Sequence, residues 1–209
     1  MSASSRSERP LVVATLNRAK GAELLRLLTG FPFVVTLLAE ITGASLPEET
    51  GQSYRENALL KARAATRQTG MPALADDSGL EVDALGGAPG IFSARYGGRE
   101  LDDRGRVEKL LEALKGVPDE RRTARFRCVI ALVDPTRTSA FPGGDETIAE
   151  GVVDGVITRA PRGTAGFGYD PVFFYPPLGR TFGELEPDEA DQVSHRAGAV
   201  RALRTALGG

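Results

Sequence analysis

Two acidic pairs, Glu48-Glu49 and Asp76-Asp77, stand out in a chain that has only four lysines against twenty-two arginines. Carboxylates brought close together repel unless protons or a hard divalent cation neutralise them, and Mg²⁺ is the natural occupant of such an oxygen-rich position. Glu48 and Glu49 also fit the plainer description of solvated loop charges. Asp76-Asp77 follows the apolar run Ala73, Leu74, Ala75, which places the pair at the C-terminal end of a buried strand. Ligands of open α/β sheets gather at such ends. Thr15, Asn17 and Lys20 lie at a strand-to-helix turn, where unpaired backbone N–H groups and the helix dipole favour an anion and Lys20 adds a point charge. The same residues also describe an ordinary capped helix with a surface lysine, and the turn lacks the glycines and Lys-Ser/Thr ending of a Walker A loop.

The segment Gly163 to Asp170, GTAGFGYD, puts three glycines around Phe167 and ahead of Tyr169 and Asp170. Glycine lets backbone approach a ligand closely while an aromatic face is presented to a planar base. A hairpin-like turn around a core aromatic is the alternative. His195, the single histidine, stands between Ser194 and Arg196. Neither Ser194 nor Cys128 has a candidate base nearby in sequence, so covalent acyl-type catalysis has no support.

These residues need a scaffold. Leu11 to Thr15 reads as a short strand, and Asn17 then caps a helix that buries Leu24, Leu25, Leu27 and Leu28. Ser53 with Glu56 forms a capping box opening a helix to about Gln68, on which Asn57 and Lys61 share a face. Met71 to Asp76 is a second strand, followed by a glycine-rich bend from Gly86 to Gly90, and Val107, Leu110, Leu111 and Leu114 mark a third helix. Thr123 to Val133 alternates as a long strand, Thr147 to Ile157 reads as a strand pair, and Pro171 to Tyr175 starts another. A last helix runs from about Asp188 to Leu207, with His195 within it. Strand and helix alternate early, whereas strands dominate later, so a mixed sheet flanked by helices is expected within an α/β fold. Residues 1–10 are expected to be a disordered tail, the length of 11–209 suits one α/β domain or two closely packed lobes, and 135–145 is expected to be a surface loop.

At 209 residues and 41% apolar content the chain can bury a substantial core. A formal net charge of -2 supplies no diffuse attraction to polyphosphate backbones, so nucleic acid is not the expected partner and any anion must be met locally. One cysteine excludes an internal disulfide and a multi-cysteine metal cluster. No stretch approaches the length needed to span a bilayer, and a cytoplasmic protein is expected.

Together the segments ATLNRAK (14–20), EETGQSYRENALLKA (48–62), ADDSGLEVDALGGAPGIFSARYGG (75–98), GTAGFGYDPVF (163–173) and SHRA (194–197) resemble the inosine triphosphate pyrophosphatase family, whose bacterial members act on non-canonical purine nucleotides. The likeness runs from Leu11 to Leu207. It implies two α/β lobes around a long mixed sheet with the nucleotide in a cleft, usually a homodimer, and Mg²⁺-dependent cleavage of ITP, dITP and XTP to monophosphate and pyrophosphate. Carried over residue by residue, it assigns Thr15, Leu16, Asn17, Arg18, Ala19, Lys20 and Lys61 to the triphosphate, and Glu49 and Asp77 to the metal. Asp77 also acts as, or positions, the base that activates water, with Asp76 and Ser78 beside it. Phe167, Gly168, Tyr169 and Asp170, with His195 and Arg196, form the base pocket. One departure is clear. Four residues before Ser194 the family usually carries a lysine that contacts the nucleotide, whereas this chain has Ala190, and Arg180 is the candidate replacement. Two other readings share parts of the pattern: a pyrophosphatase for pyrimidine or modified nucleotides, as in the septum-formation inhibitor proteins, and a nucleotide sensor without turnover.

Overall fold

Strand β1 (Arg9–Val13) is the first element of a computed structural model that describes residues 9–137 and 145–208. Arg9 and Pro10 therefore belong to a strand and not to the expected tail, while residues 1–8, and 138–144 of the expected surface loop, lie outside the described residues. Helix α1 (Arg18–Leu27) follows, then β2 (Phe33–Leu37), helix α2 (Tyr54–Thr69) and β3 (Ala73–Val82). Helix α3 (Asp103–Ala113) precedes two long strands, β4 (Thr123–Val133) and β5 (Glu146–Ile157). Short strands β6 (Phe173–Tyr175) and β7 (Arg180–Thr181) and helices α4 (Pro187–Val193) and α5 (His195–Ala206) complete the chain.

The strands form one sheet in the order β2-β1-β3-β4-β5-β6-β7. It is mixed, as expected: β1 pairs in parallel with β2 and β3, whereas β6 pairs antiparallel with β5 and β7. By its internal contacts the chain divides into two compact units, Met1–Asp77 with Val129–Ala149 and Val200–Gly209, and Ser78–Cys128 with Glu150–Ala199.

In the first unit, α1 and α2 start where the side chains dictate. Asn17 Oδ1 accepts from Lys20 N at 3.1 Å and Ser53 Oγ from Glu56 N at 3.2 Å, each satisfying a backbone donor that has no partner within its own helix. α1 buries Leu24, and Leu28 is buried just past its end, but Leu25 is exposed and Leu27 only half-buried. The four leucines span too wide an arc of the helix for all to face the core. α2 buries Ala58, Ala62 and Ala65 completely.

In the second unit, Leu80, Val82, Leu110, Phe126, Ile157, Val172 and Phe173 belong to one apolar core. Two expectations are corrected here. β5 is one continuous strand and not a pair, because Ala149, Gly151, Val153, Gly155 and Ile157 alternate inward without interruption and Gly155 makes no turn. The last helix is two helices: Ser194 adopts an extended backbone (φ -66°, ψ 157°) and its Oγ accepts from Ala197 N at 3.1 Å, so α5 begins anew at His195. Strands β2 and β7 were not anticipated at all.

Candidate active site

Asp76 and Asp77 lie inside β3 and not at its end, because Ser78 to Val82 continue the strand and bury Leu80 and Val82. Both aspartates are almost wholly buried, which exposes them to a large desolvation cost unless partnered. Partners are present in the first unit. Lys20 Nζ lies 3.3 Å from Asp76 Oδ2. Lys61 Nζ lies 2.6 Å from Glu49 Oε1 and 3.5 Å from Asp77 Oδ1, so a carboxylate from the loop before α2 and one from β3 converge on a single ammonium group. Glu48, by contrast, is exposed.

Asn57, one helical turn before Lys61 and fully buried, completes the arrangement. Its Nδ2 donates to Asp77 Oδ2 at 3.1 Å, and its Oδ1 accepts from Gly51 N at 2.8 Å. Gly51 is required there, since a Cβ at this position would lie 2.6 Å from Asn57 Oδ1. The i to i+4 spacing thus aims Asn57 and Lys61 at the same carboxylate. The face they share was visible in the sequence; the role of Asn57 was not, because it depends on where β3 passes.

The charges explain the electrostatics. Burial pushes the Asp77 carboxyl above its ordinary range, the neighbouring Lys61 opposes this, and Glu49 adds to it. For Lys61, burial works to lower the pKa, but Asp77, Asp76 and Glu49 more than offset it and the ammonium is held on more tightly than usual. Three carboxylates face two lysines, leaving a surplus of negative charge. A donor set of carboxylate oxygens alone, with surplus charge, fits a hard divalent cation such as Mg²⁺. Among the described residues no group of three His, Cys, Asp or Glu side chains stands in metal-binding geometry.

The turn from Thr15 to Lys20 presents Leu16, Asn17, Arg18 and Ala19 to solvent, while Thr15 is buried and its Oγ1 accepts from Asn17 N at 3.2 Å. Lys20 is half-buried, its ammonium turned to Asp76.

In the second unit, the loop before β6 carries Phe167, over whose ring the Arg196 guanidinium lies, 5.1 Å from the centroid. Arg196 Nη2 donates to Ser78 Oγ at 2.9 Å. Arg196 and His195 are both buried, and the His195 ring stacks on Phe126 at 4.8 Å. The loop is held by carboxylates: Phe167 N donates to Asp170 Oδ2 at 2.9 Å and Gly168 N to Asp103 Oδ2 at 2.8 Å. Gly166 and Gly168 both have positive φ (73° and 63°), and a Cβ on Gly166 would come within 2.1 Å of Asp170 Oδ2. Tyr169 differs from its neighbours. Its ring belongs to the apolar core and its hydroxyl donates to Ser93 O at 2.9 Å, with burial pushing the phenol well above its ordinary pKa. The resemblance puts Tyr169 in the base pocket beside Phe167, but the fold gives the Tyr169 ring to the interior. The substitution at Ala190 is equally committed, since it packs on the core, and the neighbouring Glu189 forks with Arg180, one bond being 3.1 Å from Nη1 to Oε2.

A model of the Ham1 family matches residues 11–206. A Shigella flexneri protein named dITP/XTP pyrophosphatase is 48% identical over 201 residues, covering 94% of this chain and 97% of its own length. A Geobacillus kaustophilus protein of the same name is 47% identical over 92% of this chain and 91% of its own length. Among solved structures, a HAM1 protein from Coxiella burnetii superposes with a TM-score of 0.82 at 44% identity, over 96% of this chain and 98% of that one. Likeness of this extent in both sequence and fold leaves one assignment: the chain belongs to the Ham1 family.

Proposed function

We propose that this chain hydrolyses non-canonical purine nucleoside triphosphates, ITP, dITP and XTP, to the monophosphate and pyrophosphate, removing them from the nucleotide pool. Support comes from near relatives that carry the name dITP/XTP pyrophosphatase. The observation that carries the reading is the convergence of Glu49 and Asp77 on Lys61. Buried carboxylates that surround an ammonium can exchange that partner for a divalent cation, while the lysine turns to phosphate oxygens.

Water attacks the α-phosphorus, the bridging bond to the β-phosphate oxygen breaks, and pyrophosphate leaves with the electron pair. Asp77 is the base that orients the water and takes its proton, and Asn57 fixes which oxygen of Asp77 remains for that task. Asp76 holds Lys20 beside it. Lys20, Lys61 and the turn formed by Thr15, Leu16, Asn17, Arg18 and Ala19 grip the triphosphate, whose developing negative charge they stabilise. Glu49 and Asp77 would hold Mg²⁺, which would supply neutralisation of phosphate charge when bound.

Base recognition is assigned to the second unit. Phe167 offers its ring, the backbone of Gly168, Tyr169 and Asp170 lies alongside, Ser78 steadies Arg196, and Arg196 with His195 supplies donors for the 6-oxo group. Adenine presents an amino group at that position and would leave a buried donor unpaired. We also assign the enzyme to the cytoplasm as a homodimer, the latter open to test by light scattering on the eluted protein.

Pyrophosphate release from ITP, dITP and XTP, measured with and without Mg²⁺, tests the reading. Activity should require the metal and vanish in Asp77→Asn with the fold intact. Comparable turnover of dTTP or UTP would shift the assignment to a pyrimidine-directed enzyme, and binding without turnover would make the chain a sensor.

A further inference from the structure

The loop from Gly166 to Asp170 bears Phe167 and turns tightly: Gly166 and Gly168 take the positive φ that glycine adopts readily, and the N–H groups of Phe167 and Gly168 both donate to carboxylates. Such a turn is fixed only when its donors have acceptors. The N–H of Phe167 is served within the loop, by Asp170. The N–H of Gly168 is served from another element, by Oδ2 of Asp103 in the first turn of α3. The other oxygen of Asp103 accepts from Arg106 Nη1 at 2.9 Å, so the carboxylate is oriented by its own helix as it reaches the loop. Asp102 caps α3 through Gly105 N, which leaves Asp103 with no capping duty at that donor.

We propose that Asp103 is a positioning residue for nucleotide base recognition: by holding the Gly168 N–H it sets the loop that presents Phe167 opposite Arg196. The inference rests on the assignment of Phe167 and Arg196 to the base slot. The effect of Asp103 passes through the loop backbone, by way of the Gly168 N–H. Loss of the tie lets Phe167 leave the position where Arg196 now covers its ring, so substrate binding weakens while the phosphate chemistry, performed by Glu49, Lys61 and Asp77, is left intact. The acceptor matters more than the charge, because an amide oxygen of the same length can take the same N–H.

Asp103→Ala and Asp103→Asn separate these effects. The Asp103 side chain is about half exposed (55%), so neither variant opens a cavity. The expected result is a KM for ITP about tenfold higher in Asp103→Ala with kcat nearly unchanged, the order of one charge-assisted hydrogen bond, and recovery of most of the loss in Asp103→Asn. Hydrogen exchange at the Gly168 amide, read on the nucleotide-free protein, should accelerate in Asp103→Ala and stay slow in Asp103→Asn. An unchanged KM, a loss confined to kcat, or exchange at Gly168 indifferent to Asp103→Ala would overturn the proposal. If the wild-type chain released no pyrophosphate from ITP, the functional reading would fail on its own account, and the exchange at Gly168 would still decide whether Asp103 holds the loop.

Discussion

Asn57 Nδ2 stands 3.1 Å from Asp77 Oδ2, on the opposite oxygen from the one that faces Lys61. The two oxygens of this buried carboxylate are thereby distinguished: one carries an amide hydrogen bond, the other faces the ammonium. Because Asn57 Oδ1 also takes Gly51 N, the same side chain ties the loop behind Glu49 to the strand that holds Asp77.

Asn57→Ala should therefore damage both stability and turnover. It leaves Gly51 N and one oxygen of Asp77 without a partner inside the protein, a loss of about 1–3 kcal/mol for each buried group left unsatisfied. Chemical denaturation should show the stability loss, and kcat for ITP should fall by about tenfold or more, because Asp77 is free to rotate. A variant as stable and as fast as the parent would mean that Asp77 is held by other means.

Lys61→Met should move the pH profile. Burial already raises the Asp77 carboxyl, and Lys61 is the group that most opposes this rise. A raised acid is ionised only above its raised pKa, so activity that needs the carboxylate is lost as pH falls through that value. Without the ammonium the limb should shift to higher pH. Stability runs the opposite way with pH: ionising Asp77 in the folded state costs more than in the unfolded chain, so the variant should lose stability as pH rises through the folded pKa. Titration of kcat/KM and of the urea midpoint would check both.

Much of this site was legible in the sequence, and for a physical reason. Helical spacing places Asn57 and Lys61 on one face whatever they meet, and an N-cap followed by a lysine marks the turn at Asn17 whatever it binds. What could not be read was anything that depends on the course of a strand or loop in space. Asp76-Asp77 sits mid-strand because Leu80 and Val82 find a core further along, and the apolar run before the pair cannot reveal that. The break at Ser194 is similarly hidden, since α4 and α5 have compatible helical patterns and only the Ser194 backbone interrupts them. The place of the Tyr169 ring in the core is hidden too, because composition does not say which side of a turn is inside.

Acid should weaken the fold through Asp134. Burial tends to raise its pKa, but hydrogen bonds from Thr136 and Arg9 prevail and hold the carboxyl below its ordinary range. A depressed carboxyl contributes stability above the unfolded value of about 3.9, and that contribution is lost as pH falls through the folded pKa. Asp134→Asn should be less stable than the parent near neutrality, with the gap closing in strong acid. A gap independent of pH would show that the Arg9 contact at 2.7 Å stabilises by packing and not by charge.

Arg122 joins three carbonyls at once: Nε donates to Ile157 O at 2.8 Å, Nη1 to Leu114 O at 3.0 Å and Nη2 to Thr158 O at 2.8 Å. Burial lowers the pKa of this guanidinium, so it is held at a cost that the three acceptors offset. A lysine carries one nitrogen on a flexible stem and cannot serve three carbonyls of fixed geometry. Arg122→Lys should therefore destabilise by about 2–4 kcal/mol, the scale of one or two buried acceptors losing a charged donor. The end of β5 and the C-terminus of α3 should be the first backbone to show faster hydrogen exchange.

Gly151 on β5 is the place where α5 rests on the sheet. A Cβ there would lie 2.2 Å from His195 O and 2.3 Å from Ala199 N, both backbone atoms that cannot swing aside. Any side chain at 151 must push the start of α5 outward, and that start carries His195 and Arg196. The shift would unstack His195 from Phe126 and carry the Arg196 guanidinium away from Phe167 and Ser78. Gly151→Ala should consequently raise KM for ITP more than it lowers kcat, alongside a loss of stability of about 1–3 kcal/mol from overpacking. Gly155→Ala provides the contrast, since its Cβ would meet the Phe173 ring at 2.5 Å and Phe174 O at 2.6 Å, on β6 and not on α5. It should destabilise to a similar degree with KM much closer to that of the parent. If the two glycines affected KM alike, the position of α5 would not be what governs base binding.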